Sequence, residues 1–169
     1  GCGTLPMAIA YAQYILCGNV GGENVGENTT CNLKFEHFSH PDLHFVFPVA
    51  GTDTVKSHAV SDNFMVEWRQ FLSESPYGSL FDWLKNLGIQ NKQGIIGVDE
   101  ATDINKKLAL KAYEGGYKVM IIWMADKMNG PSANKLLKLL EEPPAKTVFI
   151  LITESTSDML QTILSRCQV

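Results

Sequence analysis

The sequence predicts an α/β domain whose mainly parallel sheet is flanked by helices, and three observations carry that expectation. Lys118 to Met124 and Val148 to Thr153 are continuous apolar runs of strand length, as expected of strands covered on both faces in a parallel sheet. Between them Ser132 to Glu142 places Ala133, Leu136, Leu137 and Leu140 on one helical stripe, so a right-handed βαβ crossover is the expected connection. The chain has 169 residues, 45% of them hydrophobic, which is material for one domain with a real core and excludes intrinsic disorder.

Taken in order, Leu5 to Leu16 gathers Met7, Ala8, Ile9, Ala10, Ala12, Ile15 and Leu16 behind Pro6. Proline is tolerated in a first helical turn, so a buried helix following a glycine turn is expected. From Gly18 to Thr30 the composition switches to Gly, Asn, Glu and Thr, which predicts a mobile surface loop. His44 to Val49 reads as a strand. Between Asp62 and Ser73 the residues Phe64, Met65, Trp68, Phe71 and Leu72 share one helical face, and Leu80, Trp83, Leu84 and Leu87 repeat the pattern in a shorter helix. A further helix is expected near Asp99, capped by its carboxylate, carrying Ala101, Ile104, Leu108 and Ala112, and stopped by Gly115-Gly116. Pro143-Pro144 ends the helix of the βαβ unit. No internal repeat interrupts this order.

Charge and cysteine usage narrow the function. Fourteen Lys and Arg against 18 Asp and Glu leave a net charge of −4, so no global basic field draws the chain onto nucleic acid or anionic lipid. No apolar run reaches the ~18 residues of a membrane span, and no basic leader precedes a cleavage site, which points to a cytoplasmic protein. Cys2, Cys17, Cys31 and Cys167 form no C-x-x-C pair, and reduced thiols are expected. A start at Gly1 without Met and a stop at Val169 straight after an apolar run suggest a fragment, with the sheet truncated at both ends.

Gly1-Cys2-Gly3-Thr4-Leu5 before a small-residue helix looks like the tail of a phosphate-binding loop, G-x-x-x-x-G-K-[ST]. In that loop the Lys reaches the β and γ phosphates and the hydroxyl residue binds Mg²⁺; here Thr4 and Leu5 take those two places, and an ordinary strand-to-helix turn is the plainer explanation of G-x-G alone. Hydrolysis also needs acidic residues at a strand end. The run Val119 to Met124 offers none, and Asp126 beyond it reads as a solvated or helix-entry residue. Intrinsic ATP hydrolysis is therefore not expected, and no cofactor or metal is assigned.

Three further strings are more specific: Asn134-Lys135-Leu136-Leu137-Lys138-Leu139-Leu140-Glu141-Glu142-Pro143-Pro144, Thr147 to Thr153, and Thr162-Ile163-Leu164-Ser165-Arg166-Cys167-Gln168. Together with His40-Pro41-Asp42 before a strand and Val98-Asp99-Glu100 opening a helix, they closely resemble bacterial clamp-loader subunits of DNA polymerase III. Delta-prime subunits are the nearest match. The resemblance spans most of the chain and implies a P-loop NTPase-like fold of the AAA+ (RecA-type) class over residues 1–169, its phosphate loop entered partway and its lid and collar absent.

In that family Ser-Arg-Cys places an arginine finger against ATP held by the neighbouring subunit, a role the resemblance assigns to Arg166 with Ser165 and Cys167 as motif neighbours. Such fingers are worth about 10³ to 10⁵ in rate, or ~4 to 7 kcal/mol of barrier; an exposed Arg paired with a carboxylate is the plain alternative. Thr153 matches the family's sensor position. Gly1, Gly3, Thr4 and Leu5 form a degenerate phosphate loop. The implied partners are gamma/tau-type ATPase and delta-type subunits, with the sliding clamp and primer-template DNA in the assembled complex.

Many relatives carry a zinc module, C-x8-C-x2-C-x2-C, after the first helix. Cys17 matches its first ligand, but Gly26, Thr29 and Asn32 occupy the later positions and Cys31 is one place out of register. Structural zinc needs four N or S ligands, and recruitment from His37, His40 and His44 is disturbed by Pro41, so residues 18–32 read as a degenerate insertion holding free thiols. Two other readings stay open. One is an active gamma/tau-type ATPase using Lys127 or Asp126 as substitutes. The other is a stand-alone nucleic-acid-binding module, if Lys106, Lys107 and Lys111 form a basic stripe.

Overall fold

The computed structural model describes residues 3–18, 29–114 and 116–169. In chain order the elements are α1 (Thr4–Cys17), α2 (Thr29–Glu36), β1 (Leu43–Val46), α3 (Met65–Glu74), α4 (Leu80–Asn86), α5 (Val98–Ala109), β2 (Lys118–Trp123), α6 (Gly130–Glu141), β3 (Thr147–Ile152) and α7 (Gln161–Leu164). The expected α/β architecture is present: the strands form one parallel sheet in the order β1-β2-β3, with Phe45 opposite Ile121 and Ile121 opposite Ile150. Central β2 is buried along its whole length, whereas β3 is half-buried until Ile152.

Side-chain alternation along β2 divides the core in two. Val119, Ile121 and Trp123 face the α1, α3 and α4 side with Phe45 and Phe47, while Met120 and Ile122 face α5 and α6 through Ile104, Leu108 and Leu136, as a period of two requires. On the first face Trp68 stacks on Phe47 at 4.2 Å and meets Trp83 and Trp123 at 5.0 and 5.2 Å. The Trp83 indole N–H donates to the Pro48 carbonyl at 2.9 Å, so a large apolar body is buried with its polar atom satisfied.

Several boundaries depart from the sequence reading. Helix α1 is buried only through Leu5, Ala8 and Ala12, while Met7, Tyr11 and Tyr14 are exposed; it covers one face of the sheet and is not enclosed. The strand expected over 44–49 ends at Val46, and Val49 instead makes an isolated antiparallel bridge to Ile95. Asp99 does not cap α5: Gly97 is the N-cap without a side-chain bond, and Asp99 turns outward to His58 Nδ1 at 2.9 Å. Nor does α5 run on to the glycines.

Helix α5 stops at Ala109 because Leu110 is extended and the buried Lys118 ammonium donates to the carbonyls of Leu108, at 2.7 Å, and Leu110. Lys118 thus satisfies C-terminal carbonyls that the helix leaves open. Gly115 lies outside the described residues, as do Gly1, Cys2 and the stretch 19–28 of the expected loop. Helix α6 is capped by Asn129, whose side chain accepts from the Ser132 N–H at 2.9 Å, with Pro131 in the first turn.

Candidate functional site

The C-terminal ends of the strands, where ligands bind in open α/β sheets, bring together the start of α1, the turn after β2 and the turn after β3. Gly3 opens α1 with φ +80, and a Cβ there would lie 3.5 Å from the Tyr77 ring. Only glycine adopts that conformation at low cost, and the ring lies across this face of the turn. The space between Gly3, Thr4, Leu5, Tyr77, Trp123 and Ile152 amounts to about 20 Å³, room for one water, and a shallow, mostly apolar groove of about 470 Å³ runs from Thr4 along Met7 and Tyr11 to Ile150 and Thr153. Gly1 of the expected phosphate loop lies outside the described residues.

At the end of β2, Met124 takes a left-handed conformation with φ 55 and leads into a turn over Ala125–Lys127. Asp126 is not solvated. Its side chain is only 4% exposed, accepts from the Lys127 ammonium at 2.7 Å and lies 2.9 Å from the Thr153 hydroxyl. Thr153 also sits 2.9 Å from the Ser155 carbonyl and accepts from the Ser155 N–H at 3.1 Å. Thr153, the residue expected at the sensor position, therefore ties the turns after β2 and β3 together. The Asp126 carboxylate beside Lys127 holds that ammonium above its usual pKa, so Asp126 and Lys127 are engaged with each other.

Ser165, Arg166 and Cys167 follow α7 on the exposed side of the fold. The Arg166 Nε donates to Glu141 Oε1 at 2.7 Å, Nη2 donates to the same oxygen, and Nη1 donates to the Thr162 carbonyl at 2.6 Å. Cys167 Sγ lies 3.4 Å from the Ile163 carbonyl, and burial raises its thiol pKa, so it is protonated at neutral pH. Ser165 Oγ donates to the Thr162 carbonyl at 3.3 Å. Serine, cysteine and the guanidinium thus all bond carbonyls of the last turn, and the guanidinium also pairs with a carboxylate 25 residues earlier.

The histidines do not converge. His40 is buried with Nδ1 accepting from the Asp42 N–H at 3.2 Å and Nε2 3.3 Å from Glu114, while Asp42 accepts from the Tyr113 and Glu114 N–H groups at 2.7 and 3.0 Å. His40-Pro41-Asp42 is thus a structural latch between the entry of β1 and the connection leading to β2. Burial lowers the pKa of His40 and of half-buried His44, and His37 is exposed. Among the described residues no group of three or more His, Cys, Asp or Glu could hold a metal ion.

The thiols overturn an expectation. Cys17 and Cys31 are joined in a disulfide with Cα atoms 5.6 Å apart, because α2 returns against the end of α1, a proximity invisible in a spacing pattern. Cys167 is a free thiol, and Cys2 lies outside the described residues, as does Gly26 of the zinc pattern. The basic stripe is also broken: Lys107 is claimed by Asp62 and Asp103 at 2.5 and 2.8 Å, and Lys111 lies beyond α5.

Sequence reasoning missed two carboxylates. Glu141 carried no long-range signal. Glu100 did: it falls four residues before Ile104 on the apolar stripe of α5 and is 1% exposed, its Oε2 accepting from the Ser61 N–H at 2.6 Å while Oε1 has no partner.

The family model described as DNA polymerase III, delta subunit, matches residues 1–169. The chain is similar to DNA polymerase III subunit delta' of Haemophilus influenzae, 32% identical over 169 residues covering 100% of this chain and 38% of that protein. It is also similar to the Escherichia coli subunit delta', 28% identical over 170 residues with the same coverage, 100% and 38%. A solved DNA polymerase III gamma subunit-related protein from Thermotoga maritima superposes with TM-score 0.48 at 19% identity, over 94% of this chain and 43% of that one. The chain spans 38% of the length of its delta' relatives. Matched over its full length by that model, it belongs to the DNA polymerase III delta subunit family and is delta-prime-like in sequence.

Proposed function

We propose that residues 1–169 form the nucleotide-binding-fold domain of a delta-prime-type clamp-loader subunit that does not hydrolyse ATP itself and supplies Arg166 to ATP held by a neighbouring subunit. In this reading residues 18–32 are a degenerate zinc-module insertion without metal, and the protein works in the cytoplasm with gamma/tau-type ATPase and delta-type subunits. The complex loads the sliding clamp on primer-template DNA. The observation that carries the reading is the contrast between two ends of the chain. At the start of α1, Thr4 and Leu5 occupy the places where a working loop carries its Lys and hydroxyl, and the Tyr77 ring lies 3.5 Å from where a Cβ on Gly3 would sit. After α7, a guanidinium stands at the surface with Arg166 29% exposed.

An always-charged planar fork suits the charge developing on a transferred phosphoryl group, and it acts without any nucleotide of its own. The test is a reconstituted loader in which Arg166→Ala replaces the wild-type subunit. Clamp- and DNA-stimulated ATP hydrolysis is expected to fall while the complex still assembles; wild-type hydrolysis from an assembled complex removes the finger. Isolated full-length protein is expected to show neither Mg²⁺-dependent hydrolysis nor tight ATP binding. Turnover by the isolated protein would favour the active-ATPase reading instead, and salt-dependent DNA binding by the isolated protein would favour the nucleic-acid module.

A further inference from the structure

The Glu141-Glu142-Pro143-Pro144 block and the Ser165-Arg166-Cys167 block are separate in the sequence, and the fold joins them through one side-chain pair. Glu141 is the last residue of α6, and Pro143-Pro144 prevents the helix from continuing past it. Arg166 is equally fixed in its backbone, its N–H donating to the Ile163 carbonyl at 3.0 Å. Between these two anchored ends the guanidinium is held on two sides. Nε, at 2.7 Å, and Nη2 engage Glu141 Oε1, while Nη1 donates to the Thr162 carbonyl at 2.6 Å and lies 3.4 Å from Ser165 Oγ.

A guanidinium has five N–H donors in a rigid fork. The contacts above use the Nε donor, one on Nη2 and one on Nη1, with Ser165 holding a second Nη1 donor weakly. That leaves the second Nη2 N–H and the weakly held Nη1 N–H, a pair suited to two oxygens of one phosphate. We propose that Glu141 is the positioning residue of Arg166, orienting its fork before the neighbour's phosphate arrives. The inference rests on the finger reading above and adds to it the residue that sets the finger's direction.

The arrangement makes physical sense on both counts that matter for a finger. Without Glu141 the long Arg166 side chain samples many rotamers, and ordering it is deferred to the moment of binding. With Glu141 the side chain is ordered beforehand, yet both groups remain partly exposed, 29% and 47%. Exposed pairs are weak and solvent-screened, so the carboxylate can share the guanidinium with a phosphate and need not sequester it.

The experiment uses the loader reconstituted with the full-length subunit, comparing wild type, Glu141→Ala, Glu141→Gln, Arg166→Ala and the double alanine variant, each confirmed as assembled by size-exclusion chromatography. Misplacing a catalytic group by about 1 Å costs up to ~10²-fold. Glu141→Ala is therefore expected to lower kcat for stimulated ATP hydrolysis by ~10-fold or more with KM for ATP nearly unchanged. Glu141→Gln keeps one acceptor oxygen and is expected to fall between. The double variant is expected to match Arg166→Ala alone, since Glu141 acts only through Arg166.

A second readout separates positioning from mere support of the fold. Guanidinium chloride, at concentrations too low to unfold the protein, is expected to restore hydrolysis to Arg166→Ala when Glu141 is present and to fail in the double variant. Three results overturn the proposal: wild-type kcat in Glu141→Ala while Arg166→Ala is defective, which leaves the finger intact; faster hydrolysis in Glu141→Ala, which makes the pair a latch; or equal rescue with and without Glu141. Wild-type hydrolysis in Arg166→Ala sinks the finger reading itself.

Discussion

Replacing Glu100 by Gln is expected to stabilise the protein above neutral pH and to do little in acid. The carboxyl is buried in the first turn of α5, and burial pushes its pKa from 4.5 up to about 7 despite the bond from the Ser61 N–H and the nearby Lys107 charge; Asp103 adds to the rise. Lys107 is itself neutralised by Asp103 and Asp62. Below pH 4.5 the group is neutral in both folded and unfolded chains and costs nothing. Between 4.5 and about 7 the unfolded chain ionises while the folded one keeps its proton, so stability falls as pH rises. Above about 7 the loss is complete. At roughly 1.4 kcal/mol per pKa unit the gap between 4.5 and about 7 comes to ~3 kcal/mol. Glutamine is neutral throughout, and its carbonyl can still accept from Ser61, though an uncharged acceptor returns part of the gain. Urea unfolding of wild type and Glu100→Gln at pH 5 and pH 8 measures the effect. An advantage of about 1 to 3 kcal/mol confined to the higher pH supports the reasoning; an equal difference at both values refutes it.

Lys118→Met keeps the volume but leaves the carbonyls of Leu108 and Leu110 without their donor. A loss of about 1 to 3 kcal/mol is expected by denaturant titration. The disulfide between Cys17 and Cys31 closes a separation of 14 residues, so Cys31→Ser is expected to cost ~3 kcal/mol under oxidising conditions and nothing extra once reductant is present. Elemental analysis of the purified protein is expected to find no stoichiometric zinc; one zinc per chain, lost in Cys31→Ser, would reverse that. In the assembled loader Arg166→Lys is expected to restore little of the hydrolysis lost in Arg166→Ala, because a point ammonium cannot reproduce a two-pronged contact with phosphate oxygens; full activity from the Lys variant contradicts that.

The apolar runs at Lys118 and Val148, the stripes of α3, α5 and α6 and the proline stop after Glu142 were legible in the sequence because each reflects a local period or a local steric rule. Read together with its motifs, the sequence by itself therefore determined the α/β architecture and pointed to the family. What only the tertiary structure decided are the pairings between elements. Cys17 meets Cys31 because α2 folds back on α1, Asp126 meets Thr153 because β2 and β3 end side by side, and Glu141 meets Arg166 because α7 returns to the end of α6. The partners in these pairs lie 14, 27 and 25 residues apart, where no local periodicity reaches. Lys118 shows the same limit within one element. As a letter it begins an apolar run, and only the approach of the α5 terminus makes it the buried donor that ends a helix.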